Sequence, residues 1–248
     1  MKTIFSFCAA VLFLLSFFTT QTLTSCTKET TIRDTTILHD TTVIRDTVNH
    51  FDTTIVYLHD TVQLTLESCC NENEGYVNSY YITDNANGVN QLTVAAWTHG
   101  GSPETSRSFL RFDYSDVPET SILISAKLSL YAMPTPGSGN MVDAHFGTAN
   151  SFTIRRITST ISPTLYTWNN QPTSSNQNQV IIPQSTSSFQ NNTGVDVTNL
   201  VKDMLAQGNN GFFMQLQNEI TYNSRQYCSS FYIESSKRPK LVLQYKQQ

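Results

Sequence analysis

Charged side chains are scarce in this sequence, since Asp, Glu, Lys and Arg together make up only 14% of its 248 residues. The carboxy-terminal part, residues 71–248, carries 11 basic and 12 acidic residues and is therefore almost neutral. Nucleic-acid-binding proteins carry a basic face, which this balance does not provide, so no nucleic-acid partner is expected. Aromatic residues reach 11%, which argues against a disordered chain.

The sequence also has no apolar run long enough to cross a bilayer comfortably. Its longest run, residues 4–18, follows Lys2 and has the length of a signal-peptide core. The next segment, Leu23-Thr24-Ser25-Cys26, resembles the bacterial lipobox. The resemblance implies a signal peptide over residues 1–25, acylation of Cys26, and a chain anchored to the bacterial outer membrane or cell surface through its lipid. The alternative is an ordinary secretory peptide followed by an incidental cysteine.

Cysteine is rare beyond this leader. Cys69, Cys70 and Cys228 are the three that remain, an odd number. Neighbouring Cα atoms lie about 3.8 Å apart, below the usual disulfide range, so the adjacent pair can hardly bond to itself. In an oxidising compartment we expect Cys69 or Cys70 to form a disulfide with Cys228. A metal site is less favoured, because no C-x-x-C motif or suitably spaced histidine accompanies them.

Sequence motifs of catalysis are missing as well. The chain has no G-x-S-x-G, no H-E-x-x-H and no phosphate-binding loop. His99 and His145 have no visible nucleophile as a partner. Two carboxylates from distant loops could still flank a sugar, but no spacing points to such a pair. We therefore expect no enzymatic activity, and a polysaccharide-cleaving enzyme is the third interpretation.

A repeat fills residues 31–62, in which Asp-Thr is followed by Thr or Val and then by apolar residues. The repeated aspartates are Asp34, Asp40, Asp46, Asp52 and Asp60, at gaps of 6, 6, 6 and 8 residues. Even gaps place all of them on one face of a strand, and Thr, Val and Ile favour strands. The pattern predicts that residues 26–70 form an extended stalk below a domain at residues 71–248.

The threonine after each aspartate resembles a site that some Gram-negative bacteria O-glycosylate in the periplasm. The matching residues are Thr35, Thr41, Thr47, Thr53 and Thr61. Alternatively, Asp-Thr recurs by duplication because it favours strands. A lone extended strand leaves its backbone groups unpaired. Either glycans or a homo-oligomer formed through the stalk would cover them.

From residue 76 onward, apolar residues occur in short, strand-like runs. In residues 122–131, Ala126, Leu128 and Leu130 alternate with polar positions, as in a half-buried strand. The predicted strands are 76–82, 91–97, 107–113, 122–131, 151–158, 179–182, 211–217, 227–234 and 239–245. One helix is expected, with Thr198 as N-cap, a face of Leu200, Val201, Met204 and Leu205, and Gly208 at its end. This pattern predicts an all-β, antiparallel β-sandwich with one short helix.

Several of these segments together are similar to one family. They are SFLRFD at 108–113, ISAKLSLY at 124–131, YTWNNQP at 166–172, DVT at 196–198, NGF at 210–212 and RPKLV at 238–242. In order and spacing they resemble DNRLRE (disaggregatase-related repeat) domains over residues 76–246. The resemblance implies a jelly-roll fold on a bacterial surface protein. Some members resemble carbohydrate-binding modules, and others are structural units.

The two tryptophans have different expected roles. Trp168 lies inside the 166–172 motif and is expected to pack in the core. Trp97 ends an apolar strand and precedes His99 and a Gly/Ser/Pro loop. Trp97 with His99 is therefore the candidate carbohydrate-binding site.

Other ligands have little support. Asp84, Asp113 and Asp116 are candidate oxygen ligands for Ca²⁺, although aspartates at such positions more commonly cap turns. No other cofactor is expected. The leading functional prediction is a lipid-anchored cell-surface protein that binds a polysaccharide or surface glycan without catalysis. The alternative is a structural or adhesive tip that acts through protein contacts or self-association.

Overall fold

The structure is a computed structural model that describes residues 61–68 and 74–247. Within these residues the chain forms β-strands that build two sheets, together with one α-helix. The elements are β1 Thr61–Glu67, β2 Glu74–Asn78, β3 Ala86–Asn87, β4 Gln91–His99, β5 Ser102–Leu110, β6 Ile122–Leu130, β7 His145–Phe146, β8 Phe152–Ile157, β9 Ser174–Ile182, β10 Asn192–Asp196, α1 Thr198–Gln207, β11 Phe212–Leu216, β12 Asn223–Cys228 and β13 Lys240–Lys246.

The first sheet has four antiparallel strands in the order β1-β13-β6-β10. β1 pairs with β13 along its whole length, from Thr61 opposite Lys246 to Glu67 opposite Lys240. Its residues Leu64 and Leu66 are buried in the main core. Residues 61–67, which the repeat pattern assigned to the stalk, therefore belong to the sandwich, and the upper boundary predicted at residue 70 is too late.

The second sheet has nine strands. Seven follow the order β7-β12-β4-β5-β11-β8-β9, while β2 pairs with β5 and β3 pairs with β2. All of these pairings are antiparallel. The main core packs Leu92 and Val94 of β4 against residues such as Leu128 and Leu243 of the first sheet. The prediction of an antiparallel β-sandwich with one short helix is confirmed.

The helix buries the face that its sequence predicts, with one exception. Leu200, Val201 and Met204 of α1 are buried, whereas Leu205 is 41% exposed. The helix ends at Gly208, whose φ of 106° lies in a region that glycine tolerates best. No helix in the described part of the chain is long and apolar enough to span a membrane.

Thr198 does not cap α1 as predicted, because the N-cap residue is Val197. The Thr198 hydroxyl instead donates to Asp196 Oδ1 at 2.6 Å and accepts a hydrogen bond from the backbone N–H of Ala126 at 2.9 Å. The side chain therefore ties the start of the helix to β6 in the first sheet.

β1 begins at one end of the sandwich, and the turn between β4 and β5 lies at the other. Tyr245 stands opposite Val62, near the start of β1. Lys246, opposite Thr61, also stands opposite Ile122 at the start of β6, so β6 begins at this same end. The end of β5 leads into β6, whereas the turn at 99–102 precedes the start of β5. The nine residues of β5 separate the two ends by about 26 Å.

Candidate functional site

The predicted site residues Trp97 and His99 lie on the side of β4 that faces away from the main core. Side chains alternate along a strand, and the core contains Leu92, Val94 and Ala96. Trp97 is half-buried and His99 is exposed. The structure therefore places both predicted residues on one outward face, two positions apart.

Strand register extends this face across five strands. One row of directly opposed residues runs through Phe146, Ser224, Ala95, Ser106 and Asn78. In the next row, Trp97 stands opposite Glu104. Four strand spacings of about 4.8 Å give the row a width of about 19 Å. Its three central residues, Ser224, Ala95 and Ser106, are small and buried, so only the larger residues at its two ends reach the solvent.

At one end of this face, two exposed aromatic rings flank Trp97. The ring centroids of Phe146 and Tyr222 lie 5.4 and 5.1 Å from that of Trp97, and both pairs are edge-to-face. Phe146 is 38% exposed and Tyr222 is 54% exposed. Such edge-to-face contacts hold large rings in place while part of their surface stays in water.

A second aromatic group lies at the other end, around His99. The ring centroids of His99 and Tyr80 are 4.1 Å apart, and Tyr81 lies edge-on to both rings. Tyr81 Oη is 3.5 Å from His99 Nε2. Both tyrosines are exposed by nearly half of their surface.

Polar groups separate the two sets of rings. Asn78 Nδ2 donates to Glu104 Oε2 at 3.2 Å and to Ser106 Oγ at 3.0 Å. The same asparagine uses Oδ1 to accept the backbone N–H of Tyr80 at 2.7 Å, which fixes the turn that presents this ring. We call the whole surface the aromatic platform: Trp97, Phe146, Tyr222, Tyr80, Tyr81, His99, Glu104 and Asn78.

Backbone conformation holds one end of the platform. Tyr222 has φ 68°, a left-handed conformation that is uncommon for a residue other than glycine. Asn223 follows it and accepts the N–H of Ala149 at 2.7 Å, so it joins this turn to the segment after β7. Gly147 has φ 88°, and a Cβ there would overlap Tyr222 O and the side chain of Asn223. This close approach keeps Phe146 beside Trp97.

The family model of carbohydrate-binding module family 96 matches residues 68–245. The chain belongs to this family. No curated protein matches the chain. Family membership agrees with the carbohydrate-binding character that the sequence resemblance implied, while the particular resemblance to DNRLRE domains stays a prediction.

A buried polar cluster supports the platform of this family-96 module from behind. Arg225 is completely buried and donates to Tyr227 Oη, to Asn192 Oδ1 and to Pro183 O. Its neighbour His145 lies beside Phe146 in β7 and is 3% exposed. Burial, and then the charge of Arg225, lower the pKa of His145 to about 4. A neutral His145 with Nε2 donating to Gln190 O therefore has a structural role.

Trp168 lies elsewhere and is less buried than predicted. It is half-buried against a separate cluster that contains Phe109 and Tyr166, and the Arg107 guanidinium lies 4.7 Å from its ring centroid. Tyr166, at 1% exposure, is the member of the YTWNNQP motif that is in the core, edge-to-face with Phe109 at 5.0 Å. The motif is structural, but its tyrosine rather than its tryptophan is fully buried.

The three candidate calcium ligands are not gathered into one site. Asp84 and Asp116 are exposed and lie in loops after different strands. Asp113 Oδ1 accepts the backbone N–H of Ser115 at 2.9 Å, a turn-forming role. Among residues 61–68 and 74–247, no three His, Cys, Asp or Glu side chains form a group suited to a metal ion.

Cys228 carries a free, buried thiol, so the predicted disulfide with Cys69 or Cys70 is not formed in this structure. Burial raises the pKa of Cys228 to about 11, and its Sγ lies 3.7 Å from Ala132 O. Such a buried thiol is unreactive. Cys69 and Cys70 lie outside the described residues.

Several other predicted sites also fall outside the described residues. These are the lipidation site Cys26 and the glycosylation candidates Thr35, Thr41, Thr47 and Thr53. The fifth candidate, Thr61, is half-buried at the start of β1. These assignments stay predictions.

Most of the platform was not predicted from the sequence. Phe146, Tyr222, Tyr80 and Tyr81 come from segments that strand pairing brings to β4. The adjacent pair Tyr80-Tyr81 beside a turn is a sequence signal that could have suggested exposed rings. The contribution of Phe146 depends on the register of β7 against β12, which the sequence pattern does not give.

Proposed function

We propose that this chain binds carbohydrate on the aromatic platform and does so without catalysis. The observation that carries the proposal is the arrangement of exposed rings at both ends of Glu104 and Asn78. Sugar rings present apolar C–H faces that pack on aromatic rings, and their hydroxyls need polar partners between those rings. Membership of a carbohydrate-binding module family supports the same function.

We further propose that the protein is held on the bacterial surface by a lipid on Cys26, with the repeat segment as its stalk. The lipobox-like Leu23–Cys26 segment and the Asp-Thr repeat support this arrangement. β1 continues directly from the repeat, at the end of the sandwich opposite the 99–102 turn. A stalk leading into β1 would direct the platform away from the membrane.

Retention on polysaccharides tests the binding proposal. The full chain is passed over a panel of immobilised polysaccharides, and Trp97→Ala is expected to lose retention with little change in its circular dichroism spectrum. Ile233→Ala is the control, since Ile233 is an 86%-exposed apolar residue outside the platform. If Trp97→Ala is retained as well as the unsubstituted chain, the platform is not the sugar site. If no polysaccharide retains the chain, the structural or adhesive interpretation replaces the proposal.

A further inference from the structure

β1 is an edge strand whose outer side is regular and open. It is the first strand in the order β1-β13-β6-β10, and its seven residues, Thr61–Glu67, all pair with β13 without a shift in register. Within residues 61–68 and 74–247, β13 is the only strand that pairs with β1. Half of the backbone N–H and C=O groups of β1 therefore point to a side on which no described strand pairs with them.

The other edges of the two sheets carry features that hinder pairing with a further strand. β10, at the opposite edge of the first sheet, has five residues and a shift in register between Asn192 and Val195. β9 pairs with β8 with a shift between Ile154 and Arg156, and its Asn178 has φ 57°. β7 and β3 have two residues each. Bulges and short strands block association at sheet edges, and β1 has neither feature.

The side chains of β1 also allow a second strand to approach. The strand contains no proline, which would remove a backbone donor. Thr61, Gln63 and Thr65 lie on the face away from the core and are uncharged. The one charged residue, Glu67, lies at the end of the strand, and its Oε1 is 3.2 Å from Lys240 Nζ.

We propose that β1 pairs with β1 of a second copy of this chain, which joins the two four-stranded sheets into one continuous sheet. A two-fold axis at Leu64 gives antiparallel pairing along the whole strand. In this register Thr61 stands opposite Glu67 of the second copy, and Gln63 stands opposite Thr65 of the second copy. No like charges face each other, so the strand is complementary to itself.

A second copy of the chain fits this edge better than an unrelated strand. A two-fold contact requires only a surface that is complementary to itself, and β1 meets this condition. The proposed lipid on Cys26 would hold several copies at one membrane surface and so raise their effective concentration. Antiparallel pairing places the two Thr61 residues about 20 Å apart. Residues 26–60 are long enough for both copies to reach one membrane, because an extended chain spans about 3.3 Å per residue.

Sedimentation velocity tests the pairing without any polysaccharide. The full chain is studied over a range of concentrations in a mild detergent, which keeps the apolar residues 4–18 from associating. We expect a reversible equilibrium between monomer and dimer. Gln63→Lys combined with Thr65→Lys is expected to weaken dimerisation by about tenfold, because the two-fold axis then creates two pairs of like charges. Gln63→Lys combined with Thr65→Glu places opposite charges in the same two pairs and is expected to restore the dimer.

Both double variants are expected to keep the circular dichroism spectrum of the unsubstituted chain, since Gln63 and Thr65 lie outside the core. An unsubstituted chain that stays monomeric at every concentration overturns the proposal. A dimer that tolerates both lysines also overturns it and assigns self-association to residues 26–60 or to another surface. Failure of the Lys/Glu variant to dimerise contradicts the register centred on Leu64. None of these outcomes depends on whether the aromatic platform binds carbohydrate.

Discussion

Gly147 shows how one residue without a side chain can position several with large ones. The segment after β7 approaches Tyr222 and Asn223 so closely that a Cβ at Gly147 would overlap both. This approach keeps Phe146 at 5.4 Å from Trp97.

We expect Gly147→Ala to destabilise the fold by about 1–3 kcal/mol, because the left-handed backbone and the overlap both oppose a side chain. Urea unfolding measures the change. Gly194→Ala is the matched control, since Gly194 also has positive φ but a Cβ added there would meet no atom within 4 Å. An equal effect of the two substitutions would show that the contact with Tyr222 and Asn223 does not matter.

His145 links the stability of the fold to pH. Its pKa falls from 6.5 to about 4 on folding, so the unfolded chain binds the proton first as the pH drops. The contribution of neutral His145 to the free energy of unfolding is fully present above about pH 6.5. It is lost as the pH falls towards 4, and the loss reaches up to about 3 kcal/mol.

Comparison with His145→Gln isolates this contribution, because a glutamine amide can still donate to Gln190 O. We expect the free energy of unfolding of the unsubstituted chain to fall more steeply between pH 6.5 and 4 than that of the variant. Denaturant titrations at each pH give the free energy of unfolding of both proteins. If it depends on pH in the same way in both, His145 is not the cause of the loss of stability.

Among the elements, the strands with alternating apolar residues could be predicted from the sequence. The place of β1 in the sandwich could not, because β1 begins inside the Asp-Thr repeat. β6 and β13 carry apolar residues at every second position, which indicates one buried face. β1 begins inside the Asp-Thr repeat and pairs with β13, about 180 residues away in sequence, so local pattern placed it in the stalk. Its Leu64 and Leu66 were the signal that it belongs to a core.

Register sets a similar limit on predicting the site. Trp97 and His99 could be predicted because they are neighbours in sequence at the end of an apolar run. Phe146 reaches Trp97 only because β7 pairs with β12 and β12 with β4. A shift of one residue in either pairing would turn Phe146 to the other face, and short strands such as β7 give no pattern that fixes it.

The position of β1 predicts where the independent domain begins. A fragment of residues 61–248 is expected to be more stable than a fragment of residues 68–248 by at least about 3 kcal/mol, because burial of each leucine stabilises by about 1.5–3 kcal/mol. Urea unfolding followed by circular dichroism compares the two fragments. Equal midpoints and slopes would mean that β1 adds nothing to the sandwich.

At the scale of the whole molecule, we propose that the lipid anchor and the carbohydrate site lie towards opposite ends of the sandwich. Cys26→Ala removes the cysteine that we propose to be acylated, and should move the protein from the membrane fraction to the soluble fraction of the native host. Immunoblotting of fractionated cells measures the amount of the protein in the membrane fraction relative to the soluble fraction. A variant that stays with the membrane to the same extent would contradict the lipid anchor.

The central claim, that sugar packs against Trp97, can be tested most directly by tryptophan fluorescence. The chain has only two tryptophans, so Trp168→Phe leaves Trp97 as the single reporter and Trp97→Phe leaves Trp168. Each variant is titrated with an oligosaccharide from the polymer that retains the unsubstituted chain. We predict a saturable change in emission from Trp97 alone, with no change from Trp168. A saturable change from Trp168, or none from Trp97 while the oligosaccharide binds, would contradict the assignment of the aromatic platform as the carbohydrate site.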